Sequence, residues 1–302
     1  MRIIDTHVHI FERFSGIMDG QPVVSESFGR IRVGNQKKQF LQPNFEYSNS
    51  TVEMLLSYMN CNNVEKAILV PNILYGYHND YYSNAVKQYP DSFKALALVD
   101  ITKGHVAADE LYNYCKSGDF IGLKIEVNSA TQCMPNLRLN SNLLDPIWEC
   151  CNSLKSFVFL HLFRPDDLLD IKSVIENYRS IKYVICHFGS ETIFGVRAYP
   201  ESISLLTELA KSSDNVWLET SAIPCFFPDE QYPFPISCGL VENVYKTIGP
   251  EKIIWGSDYP GMLNMGTYKQ LIDYIIEHCT FSSHHKDLIM GINAQNIFWD
   301  NI

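Results

Sequence analysis

The chain has 302 residues, an apolar fraction of 46% and a formal net charge of −10. This length suits one or two domains, and the apolar fraction is enough for a large core. The acidic balance and the lack of a Lys/Arg-rich run argue against nucleic acid or an anionic membrane as a partner. The nine cysteines are irregularly spaced and form no CxxC pair, and the sequence shows no signal peptide, so we expect reduced thiols and a cytoplasmic location.

Short apolar runs alternate along the chain with longer amphipathic segments. The apolar runs are nearly continuous, which is typical of parallel strands buried on both faces. Strands are predicted at 2–9, 66–71, 94–99, 121–126, 157–162, 183–187, 216–220 and 252–257. Helices are predicted at 79–88, 106–116, 143–154, 165–178, 201–210, 240–247, 268–278 and about 284–298.

This alternation predicts a closed (β/α)8 barrel in which residues 1–302 form a single domain. The competing fold is an open, doubly wound sheet. Such a sheet would usually carry a Gly-rich phosphate-binding turn after its first strand, and none is present.

Residues 11–50 interrupt the alternation with several glycines and prolines and no sustained periodicity. They are predicted to form a long loop after the first strand. Long loops in compact domains are usually functional or disordered. Since this loop leaves the carboxyl end of the strand, we expect it to cover the mouth of the barrel. A second irregular loop is predicted at about 221–237, after the seventh strand.

The clearest local signal is Asp5-Thr6-His7-Val8-His9. Side chains alternate along a strand, so His7 and His9 point to the same face, and both imidazoles can reach one ion there. A His-x-His pair alone fits two core histidines equally well.

Three more titratable residues stand at equivalent places. His161 ends the run FVFL, His187 ends YVIC, and Asp258 follows IIWGS. Each lies at the carboxyl end of a predicted strand, which is where the active sites of such barrels are found. The coincidence favours one shared site over independent packing roles.

The order His-x-His, His, His, Asp along eight strand–helix units resembles the amidohydrolase superfamily. The finer pattern is similar to the branch with aminocarboxymuconate-semialdehyde decarboxylase-like enzymes, related aromatic-acid decarboxylases and several lactonases. The phrases that carry this resemblance are HNDYYSNAVKQYPDSFKALALVD, GLKIE, CHFG, WGSDYP and GINAQNIF. The resemblance covers nearly the whole chain and, with the prevalence of two-fold oligomers, suggests a homodimer.

The resemblance implies that His7, His9, His161 and Asp258 are ligands of one divalent metal ion. Such a set suits Zn²⁺ or Mn²⁺. His187 would face the metal-activated water or the substrate as a general acid/base or an oxyanion-side donor. Asp258 would shuttle a proton between water and leaving group, so Asp258 and His187 are the expected catalytic residues.

Lys124, in GLKIE, leaves the number of metals open. In other branches of the superfamily a lysine on the fourth strand is carboxylated and bridges two ions, but GLKIE resembles the mononuclear branch equally well. We favour one ion. Lys124 would then bind a substrate carboxylate, pair with Glu126, or extend to the surface.

Three further residues are candidates for substrate binding. Arg30 and Arg32, in FGRIRVG of the long loop, are candidates because related decarboxylases hold a substrate carboxylate with an arginine from this loop. His78 follows the second strand on the same face of the barrel, beside Tyr75 and Tyr77.

The expected function is hydrolysis of a small-molecule lactone, amide or ester by a metal-activated water. The alternative is metal-dependent, non-oxidative decarboxylation of an aromatic or unsaturated acid, which would use the same ligands. A barrel that only binds a metabolite would be expected to have lost some of these polar residues, and all five are present. Hydrolysis is preferred because only the two arginines support a carboxylate clamp.

Overall fold

The computed structural model describes residues 1–126, 137–162, 165–189 and 200–300. Its strands are β1 (Ile4–Val8), β2 (Ile17–Met18), β3 (Gln21–Ser25), β4 (Arg30–Val33), β5 (Gln36–Gln39), β6 (Lys66–Leu69), β7 (Phe93–Ala97), β8 (Phe120–Glu126), β9 (Phe157–His161), β10 (Lys182–Ile185), β11 (Val216–Glu219) and β12 (Ile253–Ile254). Eight of them form one parallel sheet in the order β1-β6-β7-β8-β9-β10-β11-β12. The predicted barrel is therefore confirmed.

Helices follow the barrel strands. They are α1 (Val52–Cys61), α2 (Asn79–Gln88), α3 (His105–Lys116), α4 (Asp145–Leu154), α5 (Pro165–Asn177), α6 (Pro200–Ser212), α7 (Pro235–Ile248), α8 (Tyr268–Asp273), α9 (Ser283–Asp287) and α10 (Asn293–Gln295). π-Helical turns extend the last three of these helices, at Tyr274–His278, Leu288–Ile292 and Asn296–Asp300. Short 3-10 turns lie at Ile101–Lys103, Asn142–Leu144, Cys186–Gly189, Ile223–Phe226, Pro250–Lys252 and Gly261–Asn264. Among the described residues, no helix is long and apolar enough to cross a bilayer.

The barrel interior is filled by a small apolar cluster from six of its strands. The cluster includes Ile4 of β1, Leu96 of β7 and Phe159 of β9. The ring of Phe298, in the last helical segment, packs against Phe157 and Phe159 with centroids 4.7 Å and 5.8 Å apart. A larger cluster lies between strands and helices. The barrel is thus a packed core, and polar groups collect at the ends of its strands.

The segment after β1 contains more regular structure than the sequence predicted. β2 to β5 form a four-stranded antiparallel sheet, where a loop over 11–50 was expected. The strands are only two to five residues long, so their periodicity is too brief to recognise in the sequence. Gln42 and Asn264 tie this insertion to the turn after β12, where Asn264 Nδ2 donates to the Phe40 carbonyl at 2.7 Å.

The barrel closes where β1 meets the turn after β12. The Asp258 amide donates to the His7 carbonyl at 2.9 Å, and the His9 amide donates to the Tyr259 carbonyl at 2.8 Å. We call this set of four residues the closure seam. It joins the first and last strands and lies at the residues that the sequence marked for chemistry.

The carboxyl group of Asp5 links residues on both sides of the closure seam by hydrogen bonds. Its Oδ1 accepts the amides of Ser257 at 2.9 Å and His7 at 3.1 Å, and its Oδ2 accepts the hydroxyl of Tyr268 at 2.6 Å. The side chain is fully buried, and this burial raises the pKa of Asp5 to about 6 despite the donors around it. Three donors from three elements therefore depend on one carboxyl group.

Replacing Asp5 by Ala should destabilise the protein by roughly 3 kcal/mol or more, because three buried donors lose their acceptor. Urea unfolding would measure the change. Asp100→Ala is the matched control, since Asp100 also accepts an amide and a hydroxyl, both from Thr102, at an exposed turn. Equal effects of the two substitutions would contradict the role given to Asp5.

Candidate active site

The four histidines that the sequence singled out form one buried cluster. The ring of His7 lies 5.0 Å from that of His9 and 4.9 Å from that of His187, measured between centroids. The rings of His161 and His187 are 4.7 Å apart. Burial comes first among the causes that lower the pKa values of His7 and His187 well below the ordinary range, followed by nearby cationic groups. Neutral imidazoles, which can bind a metal, are therefore favoured.

Asp258 completes the cluster through the closure seam. Its Oδ1 lies 2.9 Å from His9 Nε2 and 3.8 Å from His7 Nε2. Burial would raise the pKa of Asp258, but its close contacts with His9, His7 and His161 lower it overall. Its backbone is left-handed, with φ 59°. The 3-10 turn that follows, Gly261–Asn264, begins after Pro260 and has no side-chain cap. Asp258 therefore does not cap this turn, and its carboxylate is available to the site.

Each of the three histidines expected to bind the metal has a hydrogen-bond acceptor next to its Nδ1. Nδ1 of His7 lies 3.0 Å from Glu219 Oε2, and Nδ1 of His161 lies 3.3 Å from Glu126 Oε1. Nδ1 of His9 lies 2.5 Å from the Val70 carbonyl. Such outer partners fix the tautomer of a metal-binding histidine and orient its ring. In each case Nε2 remains for the cluster.

The arrangement fits a bound cation. A carbonyl only accepts, so Nδ1 of His9 carries the proton, and Nε2 of the neutral ring has a lone pair. That lone pair faces the Asp258 carboxylate, so two acceptors oppose each other. Nε2 of His161 is buried without a hydrogen-bond partner. His7, His9 and Asp258 have ligand atoms within 4.8 Å of one another, and nitrogen and carboxylate donors suit Zn²⁺ or Mn²⁺.

Glu219 is a part of the site that sequence reasoning missed. It ends β11, is fully buried, and accepts the Ser221 amide at Oε1 (2.7 Å) and the Ser221 hydroxyl at Oε2 (2.6 Å). Burial raises the pKa of Glu219 to about 7, although these hydrogen bonds act in the opposite direction. The signal in the sequence is that Glu219 ends the run VWLE. It therefore occupies the same place on its strand as His161 and His187 occupy on theirs.

His187 is held on the side of the cluster opposite His9. Its Nδ1 lies 2.6 Å from Ser221 Oγ and 3.1 Å from the Ser221 carbonyl. The backbone of His187 is left-handed, with φ 55°. A histidine in this conformation is uncommon, and such residues cluster at functional sites.

Glu126 supports His161 and does not depend on Lys124 for its hydrogen bonds. Its carboxylate accepts the side-chain amide of Asn72 at 2.6 Å and the backbone amide of Ile73 at 2.9 Å. Burial opposes ionisation, yet His161, the charge of Lys124 and the amide of Ile73 lower the pKa of Glu126 overall.

Lys124 and His78 lie outside the lining of the cavity above the cluster. Lys124 is buried, its Nζ lies 3.2 Å from Cys186 Sγ, and its charge contributes to the lowered pKa values of His7 and His187. Nε2 of His78 lies 3.0 Å from the Arg13 carbonyl and 2.9 Å from the Tyr75 carbonyl, at the start of α2. Both were candidates for substrate binding, but in the structure their polar atoms contact other protein groups and do not line the cavity.

The two loop arginines belong to the antiparallel insertion. Arg30 Nε donates to the Ser27 carbonyl at 3.0 Å. Arg32 forms an ion pair with Glu26 at 3.1 Å. Neither lines the cavity, so the structure does not bring them to the imidazole cluster.

The cavity has a volume of about 260 Å³, with the cluster at its floor. Its walls are largely aromatic, aliphatic and sulfur-containing, with Tyr75 stacked on Phe11 at 4.2 Å and Cys225 Sγ 3.0 Å from Met262 Sδ. The insertion contributes Phe40 to the lining. Within the described part of the chain, no arginine or lysine lines this space.

Comparison with known families agrees with the site. The model of the amidohydrolase family matches residues 4–298. The chain belongs to the amidohydrolase family. No curated protein matches the sequence of this amidohydrolase significantly.

Solved structures share its fold. A probable 2-pyrone-4,6-dicarboxylic acid hydrolase from Acinetobacter baumannii, with citric acid bound, is 24% identical with a TM-score of 0.71 and covers 99% of both chains. The 5-carboxyvanillate decarboxylase of Sphingomonas paucimobilis is 16% identical with a TM-score of 0.60, over 83% of this chain and 84% of that one. The 5-carboxyvanillate decarboxylase of Novosphingobium aromaticivorans, complexed with manganese, is 16% identical with a TM-score of 0.59, over 80% and 78%.

Gly256 makes room for the support behind His7. A Cβ at this position would overlap Glu219 Oε1 and would lie 2.8 Å from the Cβ of His7, so both side chains would have to shift. Gly256→Ala should displace Glu219 from His7 and weaken Zn²⁺ affinity roughly 10- to 100-fold, as the loss of an outer partner does in other metal sites. Competition with a zinc indicator would measure the affinity.

Gly239→Ala is the matched control for this prediction. Gly239 lies in α7, and a Cβ there would meet no atom within 4 Å. It should leave the affinity unchanged and stabilise the helix by up to about 1 kcal/mol. Unchanged affinity in Gly256→Ala would show that the position of Glu219 does not matter for metal binding.

Proposed function

We propose that this amidohydrolase hydrolyses a lactone, ester or amide bond of a small molecule, with one divalent ion held by His7, His9, His161 and Asp258. The observation that carries this proposal is the orientation of the three imidazoles, whose Nδ1 atoms are occupied by outer acceptors. Zn²⁺ is the preferred ion, and Mn²⁺ fits the same donors.

Each residue has a distinct part in the reaction. A divalent ion bound there would act as a Lewis acid and would lower the pKa of a water molecule toward about 7. Asp258, kept ionised by its neighbours, accepts a proton from water and delivers it to the leaving group. His187 contacts the water or the substrate from the other side. The apolar walls exclude solvent and leave room for a compact organic substrate.

We place one ion in the site. Lys124 Nζ contacts Cys186 Sγ, whereas the ligand atoms of His7, His9 and Asp258 lie together, which favours one ion. His7, His9, His161 and Asp258 are enough donors to hold one ion, so a second ion is not needed to activate a water molecule.

Decarboxylation is the second candidate, supported by the fold shared with two 5-carboxyvanillate decarboxylases. That reaction needs a carboxylate held against the ion. The contacts of Arg30 and Arg32 lie elsewhere, which makes hydrolysis the first choice. Lactones lead the candidate substrates because a 2-pyrone dicarboxylic acid hydrolase shares the fold.

Purified protein should contain about one equivalent of Zn²⁺ or Mn²⁺ and should hydrolyse a member of a panel of pyrones, other lactones and aryl esters. Treatment with 1,10-phenanthroline should abolish this activity, and added Zn²⁺ should restore it. The non-chelating isomer 1,7-phenanthroline is the control. Active protein without metal would refute the proposal. Release of CO₂ from aromatic acids, with no hydrolysis in the panel, would select the decarboxylase instead.

Asp258→Asn should fold normally and lose at least about 100-fold in turnover, the usual cost of removing a general acid/base. Asparagine tolerates the left-handed backbone at this position, so the metal-free variant should melt close to the wild type. Thermal unfolding and initial rates would measure the two effects. Turnover within a few-fold of the wild type would exclude the role of Asp258.

A further inference from the structure

A continuous chain of hydrogen bonds runs behind the imidazole cluster from His187 to His7. Nδ1 of His187 lies 2.6 Å from Ser221 Oγ, and this hydroxyl donates to Glu219 Oε2, also at 2.6 Å. The same Oε2 lies 3.0 Å from Nδ1 of His7. All four side chains are buried, so water does not compete for these contacts. One carboxylate thus connects two histidines that come from β1 and from the turn after β10.

The direction of each bond follows from the donors present. As an ionised carboxylate, Glu219 accepts from the three groups around it, which are the amide of Ser221, the hydroxyl of Ser221 and Nδ1 of His7. The hydroxyl has a single proton, which it gives to Glu219, so its oxygen accepts from His187. The Ser221 carbonyl, 3.1 Å from the same Nδ1, can also only accept. Nδ1 is therefore the protonated nitrogen in both histidines.

We propose that Glu219 and Ser221 are positioning residues that hold His7 and His187 in the Nδ1-protonated tautomer. His187 then meets the reactants at Nε2 as a hydrogen-bond acceptor, and it does not act as an N–H donor to a developing oxyanion. It accepts a hydrogen bond from the attacking water or from a substrate hydroxyl. The use of His187 rests on the proposed function, whereas the tautomers follow from the hydrogen bonds alone.

The tautomers can be measured without a substrate. In zinc-loaded protein labelled with ¹⁵N-histidine, two-bond ¹H–¹⁵N spectra distinguish the two ring nitrogens, and His187→Asn assigns the His187 signals by their loss. We expect a proton on Nδ1 of His187 in the wild type. A proton on Nε2 of His187 would overturn the proposal. Protein that takes up no zinc but keeps Nδ1 protonated would refute the proposed function and support this inference.

Variants separate the two positioning residues. Glu219→Gln keeps the size but places an amide NH₂ among groups that all donate, so His7 should change tautomer and zinc affinity should fall about 10- to 100-fold. Ser221→Ala should retain zinc, leave KM nearly unchanged and lower kcat about tenfold, since it loosens His187 alone. Ser221→Thr, which keeps the hydroxyl, should recover most of kcat.

Ser237→Ala is the matched control, because it removes another buried serine hydroxyl that donates to a glutamate, Glu230 Oε2, at 2.5 Å. It should leave kcat and zinc content as in the wild type. A loss of kcat in Ser221→Ala no larger than in this control, or no recovery in Ser221→Thr, would reject the role of Ser221. Normal zinc affinity in Glu219→Gln would reject the role of Glu219.

Discussion

The hydrogen bonds between β1 and the turn after β12 close the barrel and also set the distance between Asp258 and the two histidines of β1. The Asp258 amide is bonded to the His7 carbonyl, and the Asp258 carboxylate lies 2.9 Å from His9 Nε2. The backbone hydrogen bonds that close the barrel therefore also fix the distance between the Asp258 carboxylate and the imidazoles of β1. Asp5 holds this junction from the core, so the chemistry depends on a carboxyl group that does not touch the cavity.

A buried cluster of ionisable groups is costly unless each polar atom is satisfied. Here the cost is offset by an outer layer of fixed acceptors and donors. Glu126 and Glu219 each receive backbone and side-chain donors in addition to a histidine. The ring nitrogens that do not face this outer layer face the centre of the cluster, and one of them, His161 Nε2, has no hydrogen-bond partner. The outer layer thereby orients the imidazoles, which is the preorganisation that the proposed metal site would require.

The sequence predicted the barrel and the meeting of His7, His9, His161, His187 and Asp258, because strand ends in a parallel barrel converge whatever the loops do. It did not predict β2 to β5, whose strands are too short for a periodic signal. Glu219 was missed because His7, the histidine it supports from 212 positions away, becomes its neighbour only through the fold. The loop arginines were assigned from the family resemblance and His78 from its position after the second strand. The hydrogen bonds of all three are set by local partners that a linear pattern does not specify.

The closure seam joins residues that are very far apart in the chain, as the contact between His9 and Asp258 spans 249 positions. Contacts of such sequence separation carry a high loop-closure entropy and form late in folding. Asp258 and the amide of Ser257 emerge from the ribosome long after the β1 histidines. A nascent chain therefore exposes His7 and His9 without their carboxylate partner, and we expect productive metal capture to follow completion of the last strand.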